Sequence, residues 1–181
     1  NLFNGGHFIL ESGALTQKKG DHVSNLIYAE NGSTVNISGG YVCGASTGTS
    51  GTGAGVMVSN ANGSASILNL TGNGVVAGNY ALNGGGVYSA GSNVFVSENA
   101  VISGNATFDD QKGLGGGISA SGGSVTVSGG YVTNNKYAKY CGNEGWGDCG
   151  GGGLAANNGA HVTISGGQIT GNYSVEAGGG V

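Results

Sequence analysis

One pattern recurs along the chain, and it narrows the available folds more than any other feature. Residues 115–135 read GGGISASGGSVTVSGGYVTNN, and residues 86–105 read GVYSAGSNVFVSENAVISGN. Residues 153–172 read GLAANNGAHVTISGGQITGN, and residues 55–79 read GVMVSNANGSASILNLTGNGVVAGN. A looser copy, IYAENGSTVNISGGYVCG, spans 27–44, and HFILESGALT at 7–16 matches only the last part of a unit. A repeat of this length is the mark of an array, in which each unit buries its apolar face only against its neighbours.

Seven glycines in the 21 residues of 115–135 would suit a flexible linker. The residues between them argue otherwise, because each full copy carries three short segments. The first is Gly-aliphatic with a small residue two places later: Val87 and Ser89, Ile118 and Ala120, Leu154 and Ala156. The second is apolar-x-apolar-Ser/Thr: Leu68 and Leu70, Val94 and Val96, Val125 and Val127, Val162 and Ile164. The third is Val/Ile-x-x-Asn, ending at Asn79, Asn105, Asn135 and Asn172.

Period-two alternation means strands with one buried face. No segment holds a helical stripe, and Gly and β-branched residues disfavour helix. The unit-opening glycines Gly55, Gly86, Gly117, Gly153 and Gly180 lie 31, 31, 36 and 27 residues apart. Equivalent segments therefore return once per unit, as in a coil of three short strands stacked on the next coil. The fold class expected is all-β, a parallel β-helix of five to six coils. At about 4.8 Å per coil the stack is on the order of 25–30 Å long. The chain is read as a single segment, with 1–26 an irregular first coil and 27–181 clear repeats; it is expected to be a piece of a longer repeat protein.

The composition fits. Glycine supplies 43 of 181 residues and proline none. Corners between short strands need positive φ or close backbone approach, and ladder strands need every N–H. Disordered chains carry less apolar and more charged content than the 38% and 8% found here. Ile118, Val125, Val127 and Val132 are expected to face inward. The recurring Asn is expected to stack as a ladder at one corner, its amide bonding the next coil.

Net charge is −4, with no arginine among the five basic residues. This excludes the basic footprint that nucleic acid demands. No apolar run reaches the roughly 20 residues of a membrane helix.

Function is sought where the units differ. Insertions follow each unit-ending Asn, at 80–85, 106–116, 136–152 and 173–179. All leave from the same corner, so they should project along one edge. The longest, KYAKYCGNEGWGDCGGG, holds Lys136, Tyr137, Tyr140 and Trp146. These four form a candidate contact site for a glycan or a partner protein; alternatively the loop folds its aromatics onto the strands. Cys141 and Cys149 flank seven residues and either close a disulfide loop outside the cytosol or stay free thiols, with Cys43 left over.

The GGG[VIL] motif followed by [VI]-x-x-N resembles the repeats of chlamydial polymorphic outer-membrane proteins. V-T-[IV]-S-G-G-x-[IV]-T-x-N is similar to repeats of bacterial surface proteins and autotransporter passengers. The likeness covers residues 27–181; it departs from the chlamydial FxxN pattern, which is aliphatic here at Val76, Ile102, Val132 and Ile169. The resemblance implies a right-handed β-helix, export to the cell surface or medium, and adhesion to a host or neighbouring-cell protein or glycan. It brings no catalytic residues.

The main rival is a polysaccharide lyase or hydrolase. A lyase of that kind needs an Arg or Lys beside calcium-holding acids, and a hydrolase needs two close carboxylates. The adjacent acids are Asp109 and Asp110, with Glu144 and Asp148 in the next insertion. His7, His22 and His161 are scattered, and no nucleophile arrangement surrounds them. No catalytic residue, metal or cofactor is assigned. A third expectation is a head-to-tail filament built through unpaired strand edges. Asn-x-Ser/Thr matches stand at Asn31, Asn36, Asn62, Asn69, Asn105 and Asn172.

Overall fold

The computed structural model describes residues 1–18, 24–47, 51–108, 113–138, 150–175 and 178–181. These residues form strands and turns, with no helix among them. In chain order the strands are β1 (His7–Leu10), β2 (Ala14–Thr16), β3 (Ile27–Glu30), β4 (Thr34–Ile37) and β5 (Tyr41–Cys43). Next come β6 (Val56–Ser59), β7 (Ile67–Leu70), β8 (Val75–Ala77), β9 (Tyr80–Ala81) and β10 (Val87–Ala90). They are followed by β11 (Asn93–Val96), β12 (Val101–Ser103), β13 (Ala106–Thr107), β14 (Ile118–Ser121) and β15 (Ser124–Thr133). The last are β16 (Lys136–Tyr137), β17 (Leu154–Asn157), β18 (His161–Thr170) and β19 (Tyr173–Ser174).

The strands make three sheets of 10, 5 and 4 strands. The five-stranded sheet runs β17-β14-β10-β6-β3, one strand from each repeat. The ten-stranded sheet holds the second and third segments as two ladders. These fuse in β15, which continues through Gly129 and Gly130 with register shifts against β18. The sequence pattern counted three segments per unit, and the structure corrects this to four. The first two residues of each insertion form β9, β13, β16 or β19, the four-stranded sheet. Two-residue strands are too short for alternation to reveal them.

Pairing is parallel and keeps the repeats in register. Val87 lies between Val56 and Ile118, and Val94 between Leu68 and Val125. Ile102 lies between Val76 and Val132. One apolar cluster takes residues from both larger sheets, including Val56, Val87, Ile118, Leu70, Val96 and Val127. Each is fully buried, as are Val125 and Val132, so the inward positions read from the repeat are correct. Burying a side chain of this size stabilises the fold by about 1.5–3 kcal/mol relative to leaving it exposed.

Two polar columns run through the buried corners. The Nδ2 of Asn105 donates to Asn135 Oδ1 at 3.0 Å and to the Val76 carbonyl at 3.0 Å. Its Oδ1 accepts from the backbone N–H and the Nδ2 of Asn79, each at 3.0 Å. Asn135 repeats the scheme toward Asn172 and Ile102. A backbone N–H demands an acceptor, so the amide orientation is forced and each of these side chains is fully used. The column stops at Ala45, which holds the Asn position in its unit and offers only its backbone N–H to Asn79 Oδ1. The second column was not expected: Ser33 N–H donates to Ser66 Oγ, and Ser66 N–H to Ser92 Oγ, at 3.2 and 3.1 Å. All three serines are fully buried.

The opening glycine of a unit faces its closing Asn. A Cβ on Gly117 would meet the Gly153 carbonyl at 2.5 Å and Asn135 Nδ2 at 2.9 Å. The unit therefore begins with a residue that has no side chain because it ends with one that needs the space.

Candidate functional site

The insertion edge places its residues unevenly. Lys136 opens β16, exposed, beside Ala106 and Tyr173. Tyr137 is fully buried, so the structure corrects the expectation that its ring faces a partner. The cause is strand alternation: in a two-residue strand the second residue turns inward, as Ala81 and Thr107 do in their units. Tyr140 and Trp146 lie outside the described residues, as do Cys141 and Cys149. Cys43 is free and half-buried.

Asp109, Asp110, Glu144, Asp148 and His22 also lie outside the described residues. His7 and His161 are both exposed, at the first positions of β1 and β18, with β4, β7, β11 and β15 between those strands. Among the described residues no group of three His, Cys, Asp or Glu side chains is placed to hold a metal ion. At the N-terminal end of the five-stranded sheet the Tyr28 hydroxyl donates to the Glu30 carboxylate at 2.5 Å. That hydrogen bond holds the phenol above its ordinary pKa, with burial and the carboxylate charge adding to it.

A cleft of about 300 Å³ opens on the outer face of the five-stranded sheet. Its origin is a change of side-chain size along one outward column. Ladder pairing aligns Tyr28, Met57, Tyr88, Ser119 and Ala155. The first three are long and the last two short, so the sheet surface drops after Tyr88. The next outward column adds Ser121 and Asn157. Insertion ends close the hollow from above: Leu114 N–H donates to Asn83 Oδ1 at 2.7 Å, and Leu114 bridges Gly150. Asn158 closes the far side, its Nδ2 donating to Ser121 Oγ at 2.8 Å.

The lining has no charged side chain among Asn83, Tyr88, Leu114, Ser119, Asn157 and Asn158. Asn157 Oδ1 is buried without a hydrogen-bond partner. The sequence reading missed this site because it used the first segment's inward residues and ignored the outward one between them. The signal was present in Tyr88, Ser119 and Ala155, but it becomes a hollow only once the register is known.

No family model, no curated protein and no solved structure matches the chain. The site's chemistry therefore rests on its own residues.

Proposed function

We propose that the three parallel sheets are the faces of one right-handed parallel β-helix of five to six coils. It would serve as the non-catalytic stalk or adhesin segment of a secreted or cell-surface protein. The observation that supports this reading best is the repeat-to-repeat parallel pairing joined to the Asn79–Asn105–Asn135–Asn172 column, whose first three members are buried. Units tied in this way form a stiff stack, and an insertion leaving each unit at one position comes out along one side. A stiff body with a serial row of loops suits the display of contacts to a protein or a glycan on a neighbouring surface.

Purified chain, titrated onto cells and an immobilised glycan set, tests the reading. Saturable binding is expected, weakened at least tenfold when Tyr140 and Trp146 are both replaced by Ala. Absence of binding to any surface would overturn the adhesin role. Turnover of a polysaccharide that disappears in Asp109→Asn and Asp110→Asn would replace it with an enzyme.

A further inference from the structure

We propose that the cleft between Tyr88 and Asn157 is a binding site for a neutral saccharide. This deepens the surface-binding reading and rests on it for where a glycan would be met. Three properties select the ligand class. First, about 300 Å³ lies at the low end for small-ligand clefts, which suits a terminal sugar or a short branch rather than a polymer groove. Second, the described lining residues are uncharged, so they offer an acidic sugar no counter-charge for the hydration it would give up. Third, the free hydrogen-bonding groups are amides and hydroxyls beside one aromatic ring, the combination that meets a sugar's hydroxyls and its apolar C–H face.

Three of the polar lining side chains are uncommitted, while Asn83, Ser121 and Asn158 are held by hydrogen bonds to neighbours. Asn105 and Asn135 use every side-chain donor and acceptor, whereas the side chains of Tyr88, Ser119 and Asn157 have no partner among the described residues. Asn157 Oδ1 is buried and unpaired, so nothing holds its amide in one orientation. Asn157 lines the cleft, so a half-turn about its terminal torsion, which exchanges the oxygen and nitrogen positions, leaves its amide able to pair with a ligand hydroxyl. A buried acceptor left unpaired costs roughly 1–3 kcal/mol, and a ligand hydroxyl would recover part of that.

Calorimetric titration with tetrasaccharides of glucose, galactose, mannose and N-acetylglucosamine, plus tetragalacturonate, tests the site. At least one neutral probe is expected to bind saturably, with tetragalacturonate bound more weakly. Asn157→Ala should raise the dissociation constant several-fold while leaving the melting temperature unchanged or higher, because no intramolecular bond is lost. Ser119→Leu, which fills the hollow, should abolish binding; Tyr88→Phe should keep the ring and lose only the hydroxyl's share. No binding by any neutral probe would overturn the site, as would binding that survives both Asn157→Ala and Ser119→Leu, or tighter binding of tetragalacturonate. If intact chain still holds to cells when every probe fails, the cleft falls and the surface-binding reading stands. If probes bind in the cleft but no cell surface or immobilised glycan does, the reading falls instead.

Discussion

Asn105 and Asn135 are 30 residues apart in sequence, and their side-chain amides are hydrogen-bonded at 3.0 Å in the interior. Each also satisfies a backbone group of a neighbouring unit, so the column acts as a buried peptide-like strand made of side chains. Networks of this kind are costly to interrupt, because a missing member leaves several groups unpaired at once.

Asn105→Ala removes the acceptor for Asn79 N–H and Nδ2 and the donor to the Val76 carbonyl. The expected loss is roughly 3–5 kcal/mol, read from urea unfolding. Asn105→Asp keeps both acceptor roles but aims a charge at the Val76 carbonyl and Asn135 Oδ1. Burial and those oxygens raise the folded-state carboxyl pKa above the unfolded one. The variant's stability is therefore fullest below the unfolded pKa and lost as pH rises through the folded one. Unfolding curves across acid to neutral pH check the sign; greater stability at neutral pH would refute it.

Two glycines should respond in opposite ways to substitution. Gly117→Ala drives a Cβ into the Gly153 carbonyl and the Asn135 amide. A cost of about 1–3 kcal/mol or more is expected from overpacking. Gly104 has φ +61, a Cβ there would meet only the Gly78 backbone nitrogen at 3.9 Å, and Asn134 holds the matching place in the next unit at φ 54. Asn enters the left-handed region readily, so Gly104→Asn should change stability by about 0.5 kcal/mol or less. Gly104→Val, whose branched Cβ resists that conformation, should destabilise clearly.

Inward and outward residues of the same ladder should differ sharply. Leu70→Ala empties a fully buried place between Ile37 and Val96, and about 2–5 kcal/mol is expected. Phe95→Thr, on the outward column, matches Thr126 beside it and should cost about 0.5 kcal/mol or less. Equal effects in denaturant melts would contradict the assigned faces.

Tyr28 should be the late-titrating tyrosine at the N-terminal end of the five-stranded sheet. Its folded-state pKa is raised, first by the hydrogen bond to Glu30. The contribution of that pair is present below the unfolded tyrosine pKa and is lost as pH rises through the folded one. Phenolate absorbance is the readout, and Glu30→Gln should bring the Tyr28 midpoint back toward the ordinary tyrosine range. An unchanged midpoint would remove Glu30 as the cause.

Much of the architecture was legible because a repeat restates its own constraints. Val125, Val127 and Val132 could be assigned inward from alternation alone, since an apolar residue at every second place has one consistent buried face. The Asn column was legible for the same reason: one polar residue kept at one position in four units. The small sheet was not, because Ala106–Thr107 and Lys136–Tyr137 are too short to show a period. The serine column escaped notice because Ser33, Ser66 and Ser92 sit among many other serines, and Gly123 breaks the series.

The sequence by itself determined the repeat unit, its three longer strand segments and which residues of those segments avoid water, because these follow from local stereochemistry and alternating side chains. Only the tertiary structure decided that Tyr137 is buried, that Gly117 must leave room for Asn135, and that Tyr88 and Ser119 stand beside each other at the edge of a hollow. Those facts depend on pairing partners about 20 to 40 residues away. A strand's own pattern says which face is wet; the neighbouring strand's side chains decide what shape that face takes.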